Sequence, residues 1–129
     1  MNFLAHIFVV GCIFLVLDAL WIGIVANRFY HDSLGKMLAD KPRFGPAAVF
    51  YIIYLCAMLY FVLEPALDGQ SWAWLVKHAA FFGFAMYATY DLTNMATLRR
   101  WPLKLTVVDM AWGTLVTVAI ASAGYAIFP

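Results

Sequence analysis

Residues 2–27 read NFLAHIFVVGCIFLVLDALWIGIVAN, and Asp18 is the only charged side chain among them. A bilayer core about 30 Å thick is crossed by about 20 helical residues, so this stretch is long and apolar enough to span a membrane. No basic segment precedes the apolar run, and no small-residue cleavage site follows it closely. We therefore expect a retained transmembrane helix and not a cleaved signal peptide.

Three further apolar stretches predict spanning helices of the same kind. They cover residues 46–63, which begin with a first-turn proline and end before Pro65, residues 75–96 and residues 104–127. The composition agrees, because 66% of the residues are hydrophobic and 12% are charged, against roughly 25% charged in a soluble domain. The sequence predicts an all-α polytopic membrane protein, a four-transmembrane-helix bundle in one domain over residues 1–129.

Basic residues lie almost entirely on one side of the predicted bundle. Lys77 alone lies near the second connection, and the other seven flank the first and third: Arg28, Lys36, Lys41, Arg43, Arg99, Arg100 and Lys104. Because short basic loops stay in the cytoplasm, we expect these two connections to be cytoplasmic and both termini to be non-cytoplasmic. A net charge of +1 excludes the dense basic face that nucleic-acid binding needs, so the expected partner is the lipid bilayer.

The first connection has a periodicity of its own. Between Tyr30 and Lys41, apolar residues recur at steps of three and four: Tyr30, Leu34, Met37 and Leu38. This pattern is compatible with a short helix in the membrane interface, capped by Asp32 or Ser33. An ordinary amphipathic linker is the alternative.

Three of the seven acidic residues lie inside the predicted spans: Asp18, Asp91 and Asp109. A charged aspartate at the centre of a spanning helix costs about 2.5–3.5 kcal/mol, so we expect all three to be shielded from lipid. Alternating helix directions place them at a similar depth, in the cytoplasmic half. This common depth favours a shared acidic site, because intramembrane acids typically mark proton or ion pathways.

Aromatic and amide side chains accompany these aspartates at helical spacing. Trp21 follows Asp18 by three residues and Trp112 follows Asp109 by three, so each indole shares a helix face with a carboxylate. Tyr87 and Asn94 share the face of Asp91 in the same way. The sequence therefore predicts a ligand-binding or proton-binding site composed of Asp18, Trp21, Tyr87, Asp91, Asn94, Asp109 and Trp112.

Small residues continue the acidic faces and predict close contacts between helices. Ala79 and Gly83 precede Asp91 on its face, whereas the face of Asp109 continues through Gly113, Thr117 and Ala121. A purely structural role for the aspartates is the alternative to a binding site. In that case they would form hydrogen bonds with Tyr87, Asn94, Thr93, Thr106 and the indoles. Adjacent carboxyl groups cannot all ionise in a low dielectric, so at least one would be protonated.

Two histidines fall near the outer ends of their predicted helices. His6 and His78 could together bind a metal or haem, although interfacial histidines are more often polar edge residues. No metal-type spacing accompanies them. They are the histidine candidates for a metal or haem site, and no cofactor or catalytic residue can be assigned.

Four short segments of the sequence resemble a known family. They are LDALW at 17–21, YDLTN at 90–94, LRRWP at 98–102 and DMAWG at 109–113. With them the whole chain resembles the small four-helix membrane proteins grouped as domain of unknown function 2177. The resemblance implies four helices in a bacterial inner membrane, and it implies no activity or catalytic residue.

Three functions fit these features. The first is a small transporter or ligand-binding protein whose acidic site binds a proton or cation. Four helices enclose little of a transport path, so this function needs a parallel homo-oligomer. The second is an accessory or assembly subunit of a larger membrane complex. The third is a membrane enzyme acting on a lipid or isoprenoid, with carboxylates that hold a divalent metal or act as acid and base. Whether the protein is an enzyme stays open at this point.

The predicted orientation can be tested with single cysteines at Ser33 and Gln70, in a variant that lacks Cys12 and Cys56. A membrane-impermeant maleimide added outside intact cells should label position 70 and not position 33, because the basic connections are expected inside. Labelling after cell lysis controls for reactivity at both positions. Labelling of position 33 but not 70 in intact cells would reverse the orientation.

Overall fold

A computed structural model describes residues 3–38 and 43–129. Within these residues 89% of the structure is helical and no strand occurs, which confirms the predicted all-helical class. Lys41 and its neighbours at 39–42 lie outside the described residues, so the far end of the first connection is not covered.

The first helical stretch is longer than predicted. Helix α1 (Phe3–Leu20) runs directly into a π-helical segment (Trp21–Ala26) and then into α2 (Asn27–Leu34), and a 3-10 turn follows at Gly35–Met37. The interfacial helix with which the pattern from Tyr30 to Lys41 was compatible is therefore not a separate element over the described residues. Its expected caps, Asp32 and Ser33, lie inside α2, because the helix has already begun at Asn27.

The second stretch passes through a proline that was expected to end it. Helix α3 (Phe44–Met58) leads into a π-helical segment (Leu59–Leu63) and then into α4 (Glu64–Leu67). Pro65 has no N–H, and its ring would crowd the carbonyl one turn earlier in an α-helix. The wider π-helical turn immediately before it gives the ring room. The helix therefore ends at Leu67 instead of Leu63.

The last two helices form the longest hairpin. Helix α5 (Trp72–Thr97) begins after Ser71, whose hydroxyl accepts a hydrogen bond from the Trp74 N–H at 3.1 Å. Helix α6 (Leu103–Ile127) begins after Pro102. Pro102 cannot donate to a preceding helical turn, so it separates the two helices.

Three helical stretches are long and apolar enough to cross a membrane by length and composition: Phe3–Ile24, Phe44–Leu67 and Leu103–Ile127. Helix α5 has 26 residues, about 39 Å at 1.5 Å per residue, which also suffices for a bilayer core. Its polar residues, among them Lys77, Asp91 and Asn94, lower its hydropathy below that of the other three. The count of four spans thus stays a prediction.

Side-chain contacts show that the first two stretches run in opposite directions. His6, near the beginning of α1, pairs with Glu64 of α4. At the other end, Asp18 accepts a hydrogen bond from the Tyr51 hydroxyl of α3 at 2.7 Å. Between these contacts lie fully buried side chains such as Phe14, which form the core of the protein.

Helices α5 and α6 pack closely and antiparallel, as the small-residue faces predict. Gly83 of α5 faces the backbone carbonyl of Gly113 in α6, and Gly113 faces the ring of Tyr87. A Cβ atom at either glycine would overlap these groups. The rings of Trp72 and Tyr125 meet at the far end of the hairpin, with centroids 5.1 Å apart.

The outer surface of the protein is apolar along most of its length. Large side chains that are more than half exposed occur on all four stretches, including Phe8, Ile52, Phe81 and Leu115. Such a surface would promote association in water, whereas lipid tails solvate it. The structure is therefore compatible with a protein embedded in a bilayer.

Replacing Gly113 with Leu should destabilise the protein, because the new side chain would occupy the space of the Tyr87 ring. Overpacking of this kind costs about 1–3 kcal/mol and sometimes more. Gly45→Leu is the matched control, since nothing lies within 4 Å of a Cβ at Gly45. Thermal unfolding in detergent should show a lower Tm for the first variant only. Equal Tm values would contradict the close α5–α6 contact.

Candidate functional site

All three aspartates of the predicted spans lie buried at one end of the protein. Asp18 is near the end of α1, Asp91 is in the last third of α5, and Asp109 is in the second turn of α6. Their exposed fractions are 8%, 0% and 8%. This is the end that carries the two basic connections, so the aspartates share one region although they are far apart in the sequence.

A tyrosine donates a hydrogen bond to Asp18. The Tyr51 hydroxyl from α3 lies 2.7 Å from a carboxylate oxygen of Asp18. Trp112 of α6 lies beside the same carboxylate, and its indole nitrogen is buried without a hydrogen-bond partner among the described residues. The indoles of Trp112 and Trp21 stack, with centroids 4.5 Å apart and ring planes 5° from parallel. The two Asp-x-x-Trp motifs therefore meet through their tryptophans.

A second tyrosine donates to Asp109. The Tyr30 hydroxyl of α2 lies 2.5 Å from a carboxylate oxygen of Asp109, and it accepts a hydrogen bond from the Trp21 indole at 3.3 Å. Burial, reinforced by the hydrogen bond to Asp109, raises the pKa of Tyr30 well above its usual range. The hydroxyl therefore stays protonated and acts as a donor to the carboxylate.

Asp91 differs from the other two aspartates because neither of its oxygens has a hydrogen-bond partner among the described residues. Its side chain is fully buried, and it lines the same cavity as the Asp109 carboxyl group. Two ionised carboxylates can only accept hydrogen bonds, so neither would satisfy the other. A single proton between them would supply the missing donor.

Two adjoining cavities surround these carboxyl groups. The larger has a volume of about 490 Å³ and is lined by Asp18, Trp21, Ile22, Tyr30, Pro46, Ala47, Phe50, Tyr51, Met86, Tyr87, Tyr90, Asp109 and Trp112. The smaller has a volume of about 200 Å³ and is lined by Tyr30, Leu34, Leu38, Tyr90, Asp91, Trp101, Leu105 and Asp109. Three residues line both: Tyr30, Tyr90 and Asp109. Asp109 thus forms part of the wall between the cavities.

The structure brings together six of the seven residues singled out in the sequence. Five line the larger cavity: Asp18, Trp21, Tyr87, Asp109 and Trp112. Asp91 lines the smaller one, whereas the half-buried Asn94 lines neither.

The donors to the aspartates differ from those expected of a structural network. Thr93 donates to backbone carbonyls of its own helix, and Thr106 accepts from the Trp101 indole at 2.9 Å. Sequence reasoning missed Tyr30 and Tyr51 as partners. Their polar hydroxyls on otherwise apolar helix faces were the available signal, but sequence spacing could not relate them to a particular aspartate.

The two histidines are not brought together. His6 is buried, pairs with Glu64 and packs against the Phe128 ring, with centroids 4.0 Å apart. His78 is exposed and stacks on Trp74, with centroids 3.7 Å apart. They line separate cavities. Within residues 3–38 and 43–129, no group of three or more His, Cys, Asp or Glu side chains is placed to hold a metal ion.

Comparison with known proteins identifies the family. Residues 3–126 match the family described as "Predicted membrane protein (DUF2177)". The chain belongs to this family. Two observations support its location in a lipid bilayer, the family description and the apolar helices. No curated protein and no solved structure was found to match the chain.

The tyrosine–aspartate hydrogen bonds can be tested by Tyr51→Phe and Tyr30→Phe. Each change leaves a buried carboxylate without its donor, which costs about 1–3 kcal/mol. Tyr60→Phe is the matched control, because Tyr60 is exposed in the π-helical segment Leu59–Leu63 and lines neither cavity. Free energies of unfolding in detergent should fall for the first two variants and not for the third. Equal values for all three would contradict the hydrogen bonds.

Proposed function

We propose that this protein is a small transporter or ligand-binding protein that binds a cation in the larger cavity. One observation carries the proposal: two buried carboxyl groups, Asp18 and Asp109, face the same cavity of about 490 Å³. No Lys, Arg or His is among the described residues that line it. A cation is the ligand that would balance this charge.

The walls of the cavity favour an organic cation over a hydrated metal ion. Most of the lining is aromatic or aliphatic, and the stacked indoles of Trp21 and Trp112 form part of it. Aromatic faces attract cations, and the attraction strengthens away from water. The volume also lies within the usual range for small-molecule sites, about 300–1,000 Å³. A monovalent ammonium with an apolar substituent fits this chemistry.

The proposed position in the membrane follows from the basic connections. With α5 counted as a fourth span, the protein would cross a bacterial inner membrane four times, with both termini on the non-cytoplasmic side. The cavity would then lie in the cytoplasmic half. Transport across the whole bilayer would need a longer path than four helices enclose, so we propose a parallel homo-oligomer as the transporting form.

A structural role is the second candidate, and the tyrosine–aspartate bonds favour it. Tyr51 and Tyr30 each satisfy one carboxylate without any ligand, which would suffice to fix α3 to α1 and α2 to α6 in an accessory or assembly subunit. Asn in place of either aspartate would then be tolerated. An enzyme acting on a lipid or isoprenoid is the third candidate, and deletion of the protein should then change the lipid profile of the membrane.

Binding of benzyltrimethylammonium tests the proposal, because this ion keeps its charge at every pH. Isothermal titration calorimetry of the purified protein in nanodiscs should show saturable binding. Asp18→Asn and Asp109→Asn should each weaken it by about tenfold or more, equivalent to about 1.4 kcal/mol. Asp32→Asn is the matched control, because Asp32 is exposed on α2 and lines neither cavity.

Absence of saturable binding to the unmodified protein would contradict the proposal. So would equal affinities in the Asp18→Asn, Asp109→Asn and Asp32→Asn variants. Folding of each variant is checked by its Tm and by size-exclusion chromatography.

A further inference from the structure

Asp91 is a buried acid that takes no part in the hydrogen bonds of the fold and does not line the proposed cation site. It is fully buried, it lines the smaller cavity, and both of its carboxyl oxygens have no hydrogen-bond partner among the described residues. Leaving a buried acceptor unpaired costs about 1–3 kcal/mol, and more for a charged group. An ionised Asp91 would therefore be unstable in these surroundings.

The groups that face Asp91 supply no positive charge. Asp109 comes from α6, Tyr30 from α2 and Tyr90 from α5 itself. Beyond Asp109, the larger cavity adds Asp18 from α1 and two tyrosines, Tyr51 of α3 and Tyr87 of α5. No Lys, Arg or His lines either cavity within the described residues. The amine of Lys104 lies instead over the Phe29 ring, 5.6 Å from its centroid.

A proton shared by Asp91 and Asp109 would remove the repulsion between two buried carboxylates when no ligand is bound. Two adjacent carboxyl groups in a low dielectric do not both ionise, and their protons leave in steps that belong to the pair. With one proton, Asp91 and Asp109 form an acid–carboxylate hydrogen bond that satisfies one oxygen of each. Tyr30 satisfies a further oxygen of Asp109 at 2.5 Å. One proton on the pair would therefore give Asp91 the hydrogen-bond partner that it lacks among the described residues.

We propose that the Asp91–Asp109 pair is a proton-binding site coupled to the cation cavity, so that a bound cation displaces its proton. This inference rests on the proposed function. Asp109 belongs to both cavities, so a cation in the larger one lies beside the same carboxyl group that shares the proton. Without its proton the Asp91–Asp109 pair carries two negative charges, and the cation balances the added one. The proton of the pair leaves to water. One positive charge enters and one leaves.

The exchange is reciprocal, as linkage requires. Protonation of the pair weakens cation binding, and cation binding weakens protonation. An exchange of one cation for one proton would let a proton gradient drive movement of the cation. The coupling depends on Asp91, which does not line the cation cavity, and binding itself depends on Asp18 and Asp109.

Two measurements on the purified protein test the coupling. Affinity for benzyltrimethylammonium should rise with pH by up to about tenfold per unit, because one proton is released per cation bound. A pH indicator in weakly buffered solution should then detect about one proton per bound cation. In Asp91→Asn the amide keeps the shape and donates to Asp109, so the affinity should become independent of pH and proton release should cease. Asp32→Asn should behave as the unmodified protein.

Infrared spectroscopy separates failure of this inference from failure of the proposed function. Near neutral pH and without cation, the protein should show the carbonyl band of a protonated carboxylic acid, which Asp91→Asn removes. If the band is present but no cation binds, the proposed function and the coupling fail, whereas the proton site stands. Absence of the band, pH-independent affinity of the unmodified protein, or proton release that survives in Asp91→Asn would each overturn the inference. The first two of these outcomes are measured on the unmodified protein and do not depend on the folding of the variant.

Discussion

An ionised carboxylate inside a bilayer costs about 2.5–3.5 kcal/mol at the centre of a helix, and three helices of this protein each carry an aspartate. That cost determines which faces turn inward. Asp18, Asp91 and Asp109 are all buried, and the small residues that share their helix faces become the contacts of the bundle. The close contact of Gly83 with Gly113 is one consequence, because it brings α5 and α6 together one to two turns from their aspartates.

The three buried aspartates differ in their hydrogen-bond partners, and this difference indicates different roles. Tyr51 and Tyr30 donate to Asp18 and Asp109, so one oxygen of each of these two carboxyl groups has a hydrogen-bond donor. Asp91 has no such donor. The proposed cation therefore lies beside Asp18 and Asp109, and the proposed proton is shared by Asp91 and Asp109. Asp109 adjoins both cavities, so charge in one influences charge in the other.

Much of this arrangement is predictable from sequence because it follows from periodicity and from the cost of burial. The all-helical class, the inward aspartates and the contact at Gly113 are of that kind. The exact ends of the helices are not, because π-helical segments at Trp21–Ala26 and Leu59–Leu63 carry the chain past the expected ends. The donors Tyr30 and Tyr51 were missed for a related reason. Pairing of side chains between helices depends on rotation and register, which single-helix periodicity leaves undetermined.

The separation of His6 from His78 has the same origin. Both lie near one end of their helices, yet rotation of α5 turns His78 outward while His6 faces Glu64. The depth of a side chain along the membrane normal can thus be predicted from sequence more readily than the direction in which it points around the helix axis. For the aspartates direction could be inferred, because burial of an acid is obligatory in lipid. For an interfacial histidine it is not.

We propose that Asp18, Asp91 and Asp109 form one electrostatically linked site. Carbon-13 NMR of aspartate-labelled protein reports the protonation of each carboxyl carbon directly. We predict that the Asp91 and Asp109 signals titrate together, and that benzyltrimethylammonium shifts both as well as Asp18. Three independent titrations, unchanged by the cation, would contradict the account and would leave the aspartates as separate structural groups.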